Sequence, residues 1–153
     1  MELPRSVTIG QVGATLTFHS PDPALNSCML SLEVPGLSVS RQVDLGYEGT
    51  AQSLVDFFTG LAADWKGWDG DRQWGSTNDD CLLVCWHDRT GHVAVQVELG
   101  GEPVRQWHEA QWKVAAQVIV DPGALLVIAT ALSHLFGTGD AARRSPPLPS
   151  VPT

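Results

Sequence analysis

The chain has 153 residues, a formal net charge of -8, 43% hydrophobic residues and 17% charged ones. This is enough apolar material for one ordinary domain with a real core, and it is not the composition of a disordered chain. The acidic balance argues against direct nucleic-acid binding, which needs cationic surface to displace counterions from phosphate, and suits either plain solubility or a basic partner.

The opening MELPRSVTIG holds no apolar run of signal-peptide length, and no stretch approaches a membrane span. Cys28, Cys81 and Cys85 form an odd set without a secretory framework. Cys81 and Cys85 fall on one predicted strand, roughly 13 Å apart at about 3.3 Å per residue, too far for a disulfide. The expectation is a reduced, cytoplasmic protein with no membrane contact; the sequence does not indicate its oligomeric state.

The first third reads as β structure. Val7 and Ile9, then Leu16 and Phe18, alternate with polar neighbours, and Cys28, Leu30, Leu32 and Val34 share one face. Val34-Pro35-Gly36-Leu37 is a type II turn signal leading into Leu37 to Leu45, with Val39 and Val43 facing inward. The clearest helix follows. Thr50 is its expected cap, and Ala51, Leu54, Val55, Phe58, Leu61, Ala62 and Trp65 form its apolar stripe, which places Trp65 in the core.

The next window, WKGWDGDRQW, holds three of the chain's six tryptophans. Gly67 past the helix end in a left-handed conformation, Trp68 folded back on Ala62 and Ala63, and a second turn at Asp69-Gly70 make this a structural corner. The carboxylates of Asp69, Asp71, Asp79 and Asp80 have no such structural explanation, and only Lys66 and Arg72 offset them locally.

Cys81 to His87 and His92 to Leu99 are expected to form a hairpin around Asp88-Arg89-Thr90-Gly91. Pairing His87 with His92 puts Leu82, Val84 and Trp86 on one face with Val93, Val95 and Val97. A long strand from about Gln106 to Val120 then carries Ala110, Trp112, Val114, Ala116, Val118 and Val120 on one face. Asp121-Pro122 starts a second helix with the stripe Leu125, Ile128, Ala129, Leu132 and Phe136, ended by Gly137. Residues 138–153, rich in Pro and Ser, are expected to be a disordered tail. The sum is a single α+β domain over residues 5–137, a mostly antiparallel β-sheet with two helices packed on one face.

Cys81, Cys85 and His87, with His92 across the turn, are residue types that bind zinc, but their spacing matches no common zinc module. The alternative is two small buried cysteines and two histidines at a solvated hairpin end. Gly-x-Ser-x-Gly, His-Glu-x-x-His and the phosphate-binding glycine loops are absent, so no catalytic residue, cofactor or metal is assigned. Tryptophans displayed on the surface could instead hold a sugar or another flat ligand.

The stretches FFTGLAADWKGWDGDRQW and CLLVCWHDRTGHVAVQVEL, then a tryptophan-led strand ending in VDPGAL, resemble an actinobacterial family, domain-of-unknown-function family 6228. The resemblance covers roughly residues 5 to 137, and the chain departs from the expected pattern at Gly75 to Asn78. The family is similar in layout to WapI-type immunity proteins. That likeness implies a non-catalytic domain that occludes a basic toxin domain, with Asp69, Asp71, Asp79, Asp80 and Trp68 as the candidate partner-binding residues. The alternatives are a small-ligand or sugar-binding module using exposed tryptophans, or a globular domain of unknown role.

Overall fold

Among the described residues, four strands and a helix are followed by four strands and a second helix. The computed structural model describes residues 6–22, 26–45, 49–76, 80–100 and 112–137. Asp79, the segment expected to open the long strand, and the expected tail lie outside the described residues. β1 (Ser6–Gln11), β2 (Ala14–Asp22), β3 (Ser27–Val34) and β4 (Leu37–Asp44) form an antiparallel meander in sequence order. α1 (Thr50–Ala63) follows. A second antiparallel meander comprises β5 (Arg72–Gly75), β6 (Cys81–His87), β7 (Val93–Gly100) and β8 (Lys113–Val120). A 3-10 turn over Pro122–Ala124 then leads into α2 (Leu125–Phe136).

The architecture is α+β, and the antiparallel strands are divided into two four-stranded sheets. The division falls where a helix, rather than a hairpin turn, joins β4 to β5. Each sheet hides one face. Leu16, Phe18, Cys28, Leu30, Leu32 and Val43 are buried from the first, and Leu83, Val95, Val97, Leu99 and Val118 from the second. β1 and β2 approach β8, α2 lies against β1 and β2, and α1 lies against α2 and β5. Phe58 of α1 meets Phe18 of β2 edge to face at 6.4 Å, so helices and both sheets share one apolar cluster. No helix among the described residues is long and apolar enough to cross a membrane.

Four local expectations are corrected. Thr50 is the first helical residue of α1 and the cap position is Gly49, with no side-chain capping bond. The helix ends at Ala63, and its last amides, Asp64 to the Leu61 carbonyl (3.1 Å) and Trp65 to Ala62 (3.3 Å), bond three residues back. That tighter winding turns about 120° per residue instead of 100°, which swings Trp65 out of the apolar stripe; it is 48% exposed. In α2 the inward residue of the last turn is Leu135, while Phe136 is half-buried.

The fourth correction is the register of β6 and β7. His87 pairs with Val93, Cys85 with Val95, Leu83 with Val97 and Cys81 with Leu99. The buried face of β6 is therefore Cys81, Leu83 and Cys85, while Leu82, Val84 and Trp86 are half-buried on the other side. The connection is one residue longer than expected. Asp88 and His92 close it through an amide-to-carbonyl bond of 3.1 Å, and Asp88 Oδ1 accepts from the amides of Thr90 (2.8 Å) and His92 (3.0 Å). A slip of one residue exchanges the two faces of a strand.

Candidate functional site

The tryptophan corner begins where α1 stops. Gly67 has φ 147° and Gly70 φ 74°, conformations that residues with a Cβ rarely adopt, so the chain reverses twice within four residues. Gly67 is thus required by a positive φ, although not at the left-handed helix stop that the sequence suggested. Trp68 sits between the two turns and is only 6% exposed. The Arg72 guanidinium lies over its ring, 4.9 Å from the centroid, and the His87 ring meets it edge-on at 5.3 Å. Arg72 also donates to the Asp64 carboxylate (2.7 Å) and to the Gly60 carbonyl (3.4 Å), tying the corner to α1.

His87 fastens the corner to the end of β6. The Arg89 amide donates to its Nδ1 at 2.9 Å, which leaves Nε2 to carry the ring proton and donate to the Trp65 carbonyl at 2.9 Å. Arg89 pairs in turn with Asp69.

The structure separates the candidate partner-binding residues. Asp69 and Asp71 are exposed on the corner. Asp80 stands at the opposite end of β6, about 20 Å away at 3.3 Å per residue. Its carboxylate is buried, with 3% exposure, and accepts from Arg41 Nη2 (3.5 Å), the Asp44 amide (3.2 Å) and the Ser76 hydroxyl. It holds the two sheets together and offers no charge to a partner. Trp68 is likewise inside the fold, while Trp65, assigned to the core by periodicity, is the indole that the corner displays.

Two depressions flank the corner. A groove of about 610 Å³ between the end of α1 and the start of α2 is lined largely by Ala62, Ala63, Trp65, Pro122 and Leu126. Leu126 and its neighbour Val127 are 66% and 68% exposed. The sequence reading missed this groove; its signal was the pair Leu126-Val127, two apolar residues outside the α2 stripe. The second depression, about 460 Å³, is lined by Gly70, Asp71, Trp86 and His87. Trp65 lines one and His87 the other, so the hydrogen bond between them marks the boundary.

The cysteines are thiols. Burial pushes Cys28 and Cys85 up to about 12 and Cys81 further still, with the nearby Asp80 charge adding to the effect on Cys81. Among the described residues no three His, Cys, Asp or Glu side chains gather as a metal site.

These features define an α+β domain whose surface carries an apolar groove beside a partly compensated acidic corner. The chain belongs to a family of unknown function (DUF6228), whose model matches residues 7–139. No curated protein and no solved structure matches it.

Proposed function

We propose that this protein works by binding and occluding a protein partner, without catalytic turnover, and that the partner is a basic toxin domain. The observation that carries the reading is the display of Trp65 and Leu126 at the groove between the helices, with Val127 exposed next to Leu126 in the chain. Large apolar side chains grouped on a surface mark interaction sites, and tryptophan is the residue type that most often anchors one. The net charge of -8 favours a cationic partner and would speed its approach at low salt. The likeness in layout to immunity proteins supplies the partner class.

The test is to express each neighbouring reading frame in a host lacking this chain, then ask whether this chain relieves any toxicity. Relief abolished by Trp65→Asp supports the reading. No toxic neighbour, or relief unaffected by that substitution, removes it. A sugar or other flat ligand stacked on Trp65 is the second reading, favoured by a groove volume within the range of small-molecule sites. Glycan binding quenched by Trp65→Ala would support it.

A further inference from the structure

We infer that the depression beside the corner is a receptor for a guanidinium group, and that the partner inserts an arginine side chain there. This rests on the protein-binding reading above and names the chemistry of the contact.

Asp71 differs from the other described aspartates around it in having no internal partner. Asp64 is paired with Arg72, Asp69 with Arg89, and Asp80 with Arg41, while Asp88 accepts from its own loop and Asp121 from the Gly123 amide. Asp71 is exposed, lines the depression, and makes no hydrogen bond or ion pair among the described residues. It is the corner carboxylate left for an incoming cation.

Trp86 supplies another wall of the depression. Trp86 is half-buried on β6, and its cross-strand partner is Ala94, whose single methyl covers little of an indole. A planar cation can stack on an indole and donate to a carboxylate together, which a guanidinium does better than an ammonium. This chain makes the same contact within itself: Arg72 lies over Trp68 while donating to the Asp64 carboxylate.

Among the described residues, no unpaired cation stands on the rim. Both ring nitrogens of His87 are engaged, by the Trp65 carbonyl and the Arg89 amide, so it forms a wall. The nearby guanidiniums of Arg72 and Arg89 are neutralised by Asp64 and Asp69. Gly70 has no side chain to narrow the mouth.

The experiment is a titration of the full chain with N-acetyl-arginine amide, followed by amide and indole resonances, with N-acetyl-citrulline amide as the uncharged isostere. Shifts centred on Gly70, Asp71 and the Trp86 indole, absent with citrulline, are expected. Asp71→Asn and Trp86→Leu should each weaken binding roughly threefold to fivefold, as expected for one exposed ion pair or one cation–π contact. Circular dichroism would verify that both variants fold, and the exposed Asp71→Asn alone suffices if Trp86→Leu does not. No localised shift, an equal response to citrulline, or undiminished binding by Asp71→Asn overturns the inference. Toxin relief that requires Trp65 but is accompanied by no arginine response sinks the cation receptor alone. An arginine response without any protein partner leaves the receptor standing and sinks the partner reading.

Discussion

Arg41 on β4 and Asp80 at the head of β6 form an ion pair at 3.5 Å that joins the two sheets, with the carboxylate almost wholly buried. Asp80 also accepts from the Asp44 amide and the Ser76 hydroxyl, and Ser76 in turn accepts from the Cys81 amide at 3.0 Å. Removing the acceptor strands several donors at once. Asp80→Ala should cost about 3–5 kcal/mol, the range for breaking one side of a buried pair. Arg41→Met should cost less, because Asp80 keeps two donors and Arg41 already holds a buried Nε without a partner. Urea unfolding measures both. Equal costs, or a loss below about 1 kcal/mol for Asp80→Ala, would show that the bridge is not what joins the sheets.

The corner makes a second prediction. Trp68→Ala removes a buried indole and should cost about 3–5 kcal/mol. The indole N–H is buried without a hydrogen-bond partner, so Trp68→Phe should keep most of the stability by deleting an unsatisfied donor along with part of the ring. Gly67→Val tests the backbone. A Cβ there would meet the His87 ring at 3.8 Å (Nδ1) and 3.9 Å (Cε1), ordinary contacts, so the cost of about 1–3 kcal/mol would come mainly from the positive φ. Thermal unfolding of the three variants should rank Trp68→Ala as the least stable.

Much of the fold was legible in the residues. The β3 and β4 faces and the helical stripe through Phe58 and Leu61 follow local rules, and Asp121 Oδ1 caps the Gly123 amide at 2.9 Å, although the cap opens a 3-10 turn and α2 starts only at Leu125. What was not legible depended on counts of one residue or on distant contacts. Both faces of β6 are apolar, so alternation could not choose between Leu83 and Val84, and the loop length that decides the register is set by the Asp88 side chain. Likewise, nothing near Asp80 in sequence announces Arg41. The candidate site was legible as a corner with Trp68 turned inward, but Trp65, read as core, is displayed because the helix tightens after Ala63.

That register is directly testable. Leu83 is fully buried and Val84 only partly. Leu83→Ala should cost about 2–5 kcal/mol and Val84→Ala clearly less. The reverse order in chemical denaturation would restore the shifted pairing.

The three cysteines supply a probe of opening. All are buried and free, and their thiols are pushed far up by burial. The reactive species is the thiolate, so native protein should react with a disulfide reagent only as fast as it opens. Adding urea should raise all three rates together. One thiol that reacts rapidly in native protein would show that its surroundings are not closed.

The β6–β7 loop carries a pH dependence whose sign is set by Asp88. Its carboxyl is held down at about 2, against an ordinary 3.8, first by the hydrogen bond from the Thr90 amide and further by the amide and charge of His92, with a partly opposing effect of desolvation. A depressed carboxyl stabilises the folded loop fully above its ordinary range, and that contribution fades as pH falls through the folded value. The group is exposed, so the effect is local to the loop. The amide resonances of Thr90 and His92 should titrate together with a midpoint near 2, and Asp88→Asn should abolish that titration. A midpoint at the ordinary carboxyl value would mean that the loop does not hold the carboxylate in solution. The five-residue connection that fixes the register would then need another cause.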